Sequence, residues 1–224
     1  MLSISIAIDG PAAAGKSTIA NIIARKFDFI YINTGSMYRA VTLMCLRAKI
    51  DCSNISAIYN LTKSLEMHFK NNRLIVNGED VEDEIRELYV TNNVSNYASI
   101  KEVRNILVQM QRDMSDKYNV VMDGRDIGTV VLKSAPLKFF LTASAEARAK
   151  RRYDELTKKG IVVEYDDILN DIRERDYIDS NRKESPLKKA KNAIEIDSSN
   201  LSIDQVVDIM SSHIKAYMTK LHYN

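Results

Sequence analysis

From Gly10 to Thr18 the chain reads GPAAAGKST, so that four residues separate Gly10 from Gly15, Lys16 and Ser17. Placed between a strand and a helix, that spacing wraps a chain of phosphates. The segment Gly10, Pro11, Ala12, Ala13, Ala14, Gly15 turns its backbone N–H groups inward, and the helix N-terminus adds partial positive charge. Lys16 reaches the outer phosphates, the Ser17 hydroxyl ligates a metal ion, and Thr18 completes the set expected to hold ATP with Mg²⁺. The flanks supply the required context: Ile4 to Ile8 is an apolar run of strand type ending at Asp9, and Ile19, Ile22 and Ile23 open a helical pattern. Ala13 stands where such loops often carry a further glycine; its methyl group restricts the backbone and bears on phosphate affinity.

Three other stretches carry charge at useful spacing. In Thr34-Gly35-Ser36-Met37-Tyr38-Arg39, a hydroxyl residue and a glycine at a helix start, followed by Tyr38 and Arg39, suit either an anionic group or an ordinary N-cap. DGRDIGT, Asp123 to Thr129, follows the buried-type strand Val120 to Met122, and ligands of open α/β sheets bind beyond such strand ends. Arg175, Asp179 and Arg182, at spacings of four and three, share one helix face, as a salt-bridge ladder or a ligand clasp. Arg39, Arg104, Arg125, Arg175 and Arg182 together exceed what a triphosphate requires. They suit an acceptor that is itself a phosphate, whose anionic oxygen needs no general base, so that catalysis reduces to alignment and charge neutralisation. The absence of Asn-Lys-x-Asp weighs against a GTPase, and 224 residues are too few for a large motor ATPase. A small kinase remains.

The elements that must position these residues are legible in part. Five parallel-type strands, Ile4 to Ile8, Phe29 to Ile32, Val120 to Met122, Lys138 to Leu141 and Ile194 to Ile196, alternate with helices, giving a P-loop, doubly wound α/β fold. Between the second and third, Leu65 to Lys70 and Arg73 to Val76 form a small antiparallel insert about an Asn71-Asn72 turn, with a second turn at Asn77-Gly78. Ser99 with Glu102, and Ser202 with Gln205, read as capping boxes. The helix after Ser99 presents Val103, Ile106, Leu107, Met110 and Met114 as its apolar stripe, with Arg104 and Gln111 off it; the last helix presents Val206, Ile209, Met210, Ile214 and Tyr217. Ser144 caps a helix bearing Arg148, Arg151 and Arg152 that runs to Gly160.

Composition narrows the partners. A net charge of +2, 45% hydrophobic and 28% charged residues describe an ordinary globular protein with no general polyanion-binding surface. No run of about 18 apolar residues occurs and the N-terminus enters a strand at once, so neither a membrane span nor a cleavable signal is expected, and the cytoplasm is the expected location. Cys45 and Cys52 are too few for a disulfide framework, and His68, His213 and His222 lack ligand spacing for a metal.

With GPAAAGKST, TGSMYR, NGEDVEDEIR (Asn77 to Arg86), DGRDIGT and RERDYIDSNR (Arg173 to Arg182) in place, essentially the whole chain resembles the bacterial cytidylate kinases of the nucleoside monophosphate kinase family. DGRDIGT is the discriminating motif. The resemblance implies one domain, 1–224, with a core of about 1–60, 97–147 and 190–224, a helical lid of about 148–170 and a monophosphate-binding insert of about 61–96. It implies that Arg39, Arg125 and Arg182 hold the acceptor phosphate, that Arg175 and Asp179 hold the ribose, and that Ser95, Arg104 and Asp126 read the cytosine, with Thr34, Tyr38 and Asp123 completing the CMP-binding set. Lys16, Arg125, Arg148, Arg152 and Arg182 are the residues expected at the transferring group. The implied partners are ATP and CMP or dCMP, with Mg²⁺, in a monomer without stable nucleic-acid or membrane contacts. Thr34 replaces the serine frequent at its position and keeps the hydroxyl. A carboxylate at Asp126 accepts from the cytosine amine and repels the uracil carbonyl, so CMP is expected to be preferred to UMP. UMP or AMP as acceptor, and a non-catalytic nucleotide-binding module, are the alternatives.

Overall fold

The computed structural model describes residues 3–222; residues 1, 2, 223 and 224 of the expected single domain lie outside the described residues. Strand β1 (Ser5–Asp9) leads through the phosphate loop into α1 (Lys16–Phe27), β2 (Ile30–Asn33), α2 (Thr34–Arg47) and α3 (Ile55–Ser64). The insert follows as β3 (Met67–Lys70), β4 (Arg73–Val76) and β5 (Glu79–Asp80), then a 3₁₀ turn at Glu84–Arg86 and two short helices, α4 (Leu88–Thr91) and α5 (Val94–Ala98). The chain returns through α6 (Lys101–Lys117) to β6 (Val120–Gly124), a π-helical turn at Ile127–Val131, β7 (Leu137–Thr142), α7 (Ala145–Lys158), α8 (Tyr165–Asn181), β8 (Ile194–Asp197) and α9 (Ile203–His222).

The five-stranded sheet has the order β2-β6-β1-β7-β8, every pairing parallel, and the insert forms a separate antiparallel sheet β3-β4-β5. Central strands covered on both faces must be apolar throughout, and Ile6-Ala7-Ile8 and Val120-Val121-Met122 are fully buried. Alternation along the strands then feeds two cores. Ile6, Ile8 and Val121 pack with α1 and α9; Ala7, Val120 and Met122 pack with α2, α3 and α6. Parallel register brings the strand ends together, Asp9 beside Gly124 and Asn33 beside Asp123. One edge of the sheet therefore gathers the polar residues of three strands.

In the insert, Asn71 and Asn72, then Asn77 and Gly78, all take positive φ, between 50° and 84°, the left-handed pair that a tight hairpin turn of primed type requires. Leu74, Val76, Val81, Ile85 and Val90 join the same buried cluster as Ile32 and Leu43, so the insert is cemented to the sheet's helical layer. The α7–α8 pair differs: among the described residues its cluster buries just Ala149, Ile168 and Ile172.

Several local expectations shift. Ser99 does not cap α6; its hydroxyl donates to Asn96 O (2.9 Å) at the end of α5, and α6 starts after extended Ile100 without a side-chain cap. The short helix immediately upstream claims the serine first. On α6 the buried residues are Val103, Arg104, Leu107, Val108, Gln111 and Ser115, so Arg104 and Gln111 lie inside while Ile106, Met110 and Met114 flank them. The helix is turned by a polar partner for Arg104, described below. On α9, Ile209 is exposed and Val207 is buried in its place. The cap of α2 is Asn33, whose side chain accepts from Ser36 N (3.0 Å), which leaves the Thr34 hydroxyl to donate to Asp123 O (2.7 Å).

The Ser202–Gln205 box does form, Gln205 N donating to Ser202 Oγ (3.2 Å) and Ser202 N to Gln205 Oε1 (2.9 Å). Ser202→Ala is expected to cost about 1 kcal/mol and lower Tm by about 2 to 4 °C. Steady-state kinetics should not change, because α9 lies on the face of the sheet away from the insert; thermal melts alongside initial rates test both halves.

Candidate active site

The phosphate loop depends on backbone forms that favour glycine. Gly10 has φ 151°, and a Cβ there would overlap the Leu141 carbonyl; Gly15, at the start of α1, has φ 83°. Ala13 also lies in the left-handed region, at φ 56°, the position at which a glycine would be at ease. Lys16 is buried and its Nζ donates to Pro11 O (2.6 Å). Burial, then the charge of Arg125, push it well below the usual lysine range, against the pull of Asp123, Asp9 and Asp179.

Beside it a relay of hydrogen bonds fixes one carboxylate. Ser17 Oγ donates to Asp123 Oδ2 (2.9 Å), Tyr31 Oη to Asp123 Oδ1 (2.8 Å), and Asn33 Nδ2 to Tyr31 Oη (3.0 Å). Burial and the neighbouring Asp123 hold the Tyr31 phenol far above its usual range, so it stays a donor. Asp123 thus lies against the phosphate loop. Its oxygens, with the Ser17 hydroxyl, are the hard donors a divalent cation selects.

A second carboxylate, Asp126, organises the neighbouring arginines. Arg104 Nη2 meets Asp126 Oδ2 at 2.5 Å, both side chains buried, and the Arg104 guanidinium lies 5.3 Å from the Tyr38 ring centre. This is the partner that turns α6. Arg182 Nη2 stands 3.6 Å from Asp126 Oδ1, and that buried nitrogen makes no hydrogen bond. Asp179 accepts from Arg125 Nε (2.7 Å) and faces Arg182 Nη1 (3.9 Å); burial pushes its carboxyl up, but Arg125 and the other guanidinium groups outweigh this and hold it low. Arg39 donates to Thr91 Oγ1 (2.8 Å), and burial followed by the charges of Arg175, Arg86, Arg125 and Arg152 lowers it to about 10. Burial raises the Tyr38 phenol to about 12.

Other expected residues stand differently. Arg148 is buried and fully engaged: it donates to Ala143 O and Ala12 O (3.0 Å each) and forms a bidentate pair with Asp176 (3.0 and 2.5 Å), bracing the phosphate loop against α8. Arg151 donates to the Ser198 carbonyl, and Arg152, exposed, pairs with Glu155 at 3.0 Å. Arg175 on α8 and Ser95 on α5 are exposed. Among the described residues no group of His, Cys, Asp and Glu could hold a metal by itself, and no helix is long and apolar enough to cross a membrane.

Sequence reasoning missed Asp9, Tyr31, Asn33 and Asp176. Asp9 is buried, its two oxygens accepting from Ile127 N and Gly128 N at 2.7 Å each. A carboxylate directly ahead of the phosphate loop, closing an apolar strand, was the one available signal for it.

A phosphate loop at one strand end and a crowd of guanidinium groups at its neighbours define a P-loop phosphotransferase. The chain belongs to the cytidylate kinase family, whose model matches residues 6–216. Cytidylate kinases of Clostridium botulinum (strain Loch Maree / Type A3), Clostridium acetobutylicum and Clostridium tetani are 61%, 60% and 56% identical to it, covering 96%, 95% and 98% of this chain and 99%, 98% and 97% of their own. A gluconokinase from Sinorhizobium meliloti 1021, 13% identical over 99% of this chain and 97% of its own, superposes with a TM-score of 0.52; an uncharacterized protein from Eubacterium ventriosum, also 13% identical and covering 96% and 99%, gives 0.53. At that identity they share the fold. Membership of the family makes this chain a nucleotide kinase, a reaction that uses a nucleoside triphosphate together with a divalent cation.

Burial raises the Asp9 carboxyl from 3.8 to about 6, against the two backbone N–H groups that lower it. Because the folded value lies above the unfolded one, Asp9 favours folding at low pH, and that contribution is lost as pH rises through about 6. Asp9→Asn cannot titrate. The stability of the variant minus that of the wild type should therefore rise from pH 4 to pH 7, on the order of 3 kcal/mol, in denaturant titrations at both ends; a difference that does not vary with pH would refute the shift.

Proposed function

We propose that this enzyme transfers the γ-phosphoryl group of ATP, accompanied by Mg²⁺, to CMP or dCMP, giving ADP and CDP or dCDP. The observation that carries the choice of base is Asp126, a buried carboxylate held by Arg104 at one oxygen and facing the unbonded nitrogen of Arg182 at the other. The carboxylate accepts and the Arg104 guanidinium beside it donates, the complement of a cytosine amine next to a ring nitrogen and carbonyl.

Each residue then has a task. The loop N–H groups and Lys16, released from Pro11 O, hold the outer phosphates, and Ser17 with Asp123 holds the Mg²⁺, which neutralises charge on the donor. Arg39, Arg125 and Arg182 hold the acceptor phosphate, with the Thr34 hydroxyl and Tyr38 at its edge. Ser95, Arg104 and Asp126 read the base, and Arg175 and Asp179 the sugar. An anionic oxygen of the monophosphate forms the new bond to γ-phosphorus as the bond to the ADP oxygen breaks. No proton need move in that step. Residues 148–170 act as a lid that excludes water, bringing in Arg152, while Arg148 supports the loop through Ala12. The core of about 1–60, 97–147 and 190–224 carries the donor site, and the insert of about 61–96 enlarges the lobe that holds the acceptor. We place this activity in a cytoplasmic monomer that makes no stable contact with membrane or nucleic acid.

Initial rates of ADP release with ATP and Mg²⁺, offered CMP, dCMP, UMP, AMP or GMP singly, test the reaction. Fast turnover confined to CMP and dCMP is expected; preference for UMP or AMP would sink the base assignment, and no turnover would leave a nucleotide-binding module. Asp126→Asn, which keeps the shape and removes the charge, should cut discrimination of CMP from UMP by about 1 to 3 kcal/mol. An unchanged ratio of kcat/KM would remove Asp126 from base reading.

A further inference from the structure

Asp9 is a buried charge with no task in the reaction just described. It ends β1 immediately before Gly10, and its oxygens are both consumed: Oδ1 by Ile127 N–H, Oδ2 by Gly128 N–H, each at 2.7 Å. Those two amides open the π-helical turn, and the Asp126 carbonyl accepts Val130 N (2.8 Å) within the same turn. The peptide unit joining Asp126 to Ile127 is thereby held at both its carbonyl and its N–H.

The space around the clamp is full. A Cβ added at Gly128 would lie 3.2 Å from Asp9 Oδ2 and 3.1 Å from Lys138 Cδ. Lys138 is itself buried, its Nζ donating to Lys133 O (2.6 Å). A neutral amide in place of Asp9 offers one acceptor where two donors converge, and would turn an N–H of its own toward one of them. A carboxylate is the side chain of this length that serves both, which gives a physical reason for accepting the cost of burying it.

We propose that Asp9 is a positioning residue for base selectivity: it ties the strand that carries the phosphate loop to the turn that carries Asp126, and so sets where the base-reading carboxylate stands relative to the donor site. The inference rests on the base-reading role proposed for Asp126. The phosphate loop has independent supports, Gly10 seated under the Leu141 carbonyl and Ala12 held by Arg148, so slackening the clamp moves the base reader and leaves the donor site in place.

The test compares wild type, Asp9→Asn and Gly128→Ala as full-length proteins, in kcat/KM for CMP and for UMP, KM for ATP, and thermal melts. Gly128→Ala keeps the charge and presses on the carboxylate, and it decides alone if Asp9→Asn does not fold. Both variants are expected to lower the CMP over UMP preference by about 10-fold or more, with KM for CMP rising and KM for ATP within about twofold of wild type. A purely structural role would lower Tm and slow both acceptors alike. An unchanged CMP over UMP ratio in a folded variant, or a loss confined to ATP affinity, overturns the proposal. A wild type without preference for CMP would instead refute the base-reading role itself, and that outcome is visible before either variant is measured.

Discussion

A carboxylate taken out of water must find hydrogen-bond donors or cations, and three strand-end aspartates of this enzyme meet that demand in three directions. Asp9 takes two backbone amides from the turn after β6. Asp123 takes the hydroxyls of Ser17 and Tyr31, one from the phosphate-loop helix and one from β2. Asp126 takes the guanidinium groups of Arg104 and, at longer range, Arg182. Parallel register has already set these strand ends side by side, so each satisfied carboxylate also locks one neighbouring element against the sheet edge. Without those partners the edge would be a row of uncompensated charges.

The arginines present the opposite problem. The charges of Arg175, Arg86, Arg125 and Arg152 are all felt at Arg39, though Arg125 has Asp179, Arg86 has Glu82 and Arg152 has Glu155 as partners. In the proposed acceptor site such an arrangement would be preorganised: its cost is met on folding by the rest of the core, and an arriving phosphate would relieve it without first having to gather the groups. Lys16, resting on a carbonyl, is poised in the same sense.

How far the sequence reveals this depends on whether a feature is local. The phosphate loop is legible because its spacing is its mechanism, and the Asn71-Asn72 and Asn77-Gly78 turns because left-handed backbone has few willing residues. The strand order and the shared core of insert and sheet helices are not contained in any window of sequence. Arg104 is a charged residue on a helix until Asp126, 22 positions later, gives it a reason to be inside. Arg148 looks like a free cation in a basic helix; Asp176, 28 positions on, and the Ala12 carbonyl make it a brace. Ser99 satisfies a capping pattern and yet closes the helix before it, because two helices compete for one side chain. In each case the deciding partner is remote in sequence or belongs to an adjoining element.

The α7–α8 pair is held to the rest of the molecule differently from the insert. Its own core is three buried side chains, whereas the insert shares the large cluster beneath α2 and α6, so the free energy needed to detach the two regions is very unequal. The pair is pinned at one end, where Arg148 joins α7 to the phosphate loop and to Asp176, and its far end, at Val162, is 94% exposed. A lever with one fastened end and one free end would turn about the fastening. Because that fastening grips the phosphate loop itself, any displacement of the free end would be felt at the Ala12 carbonyl.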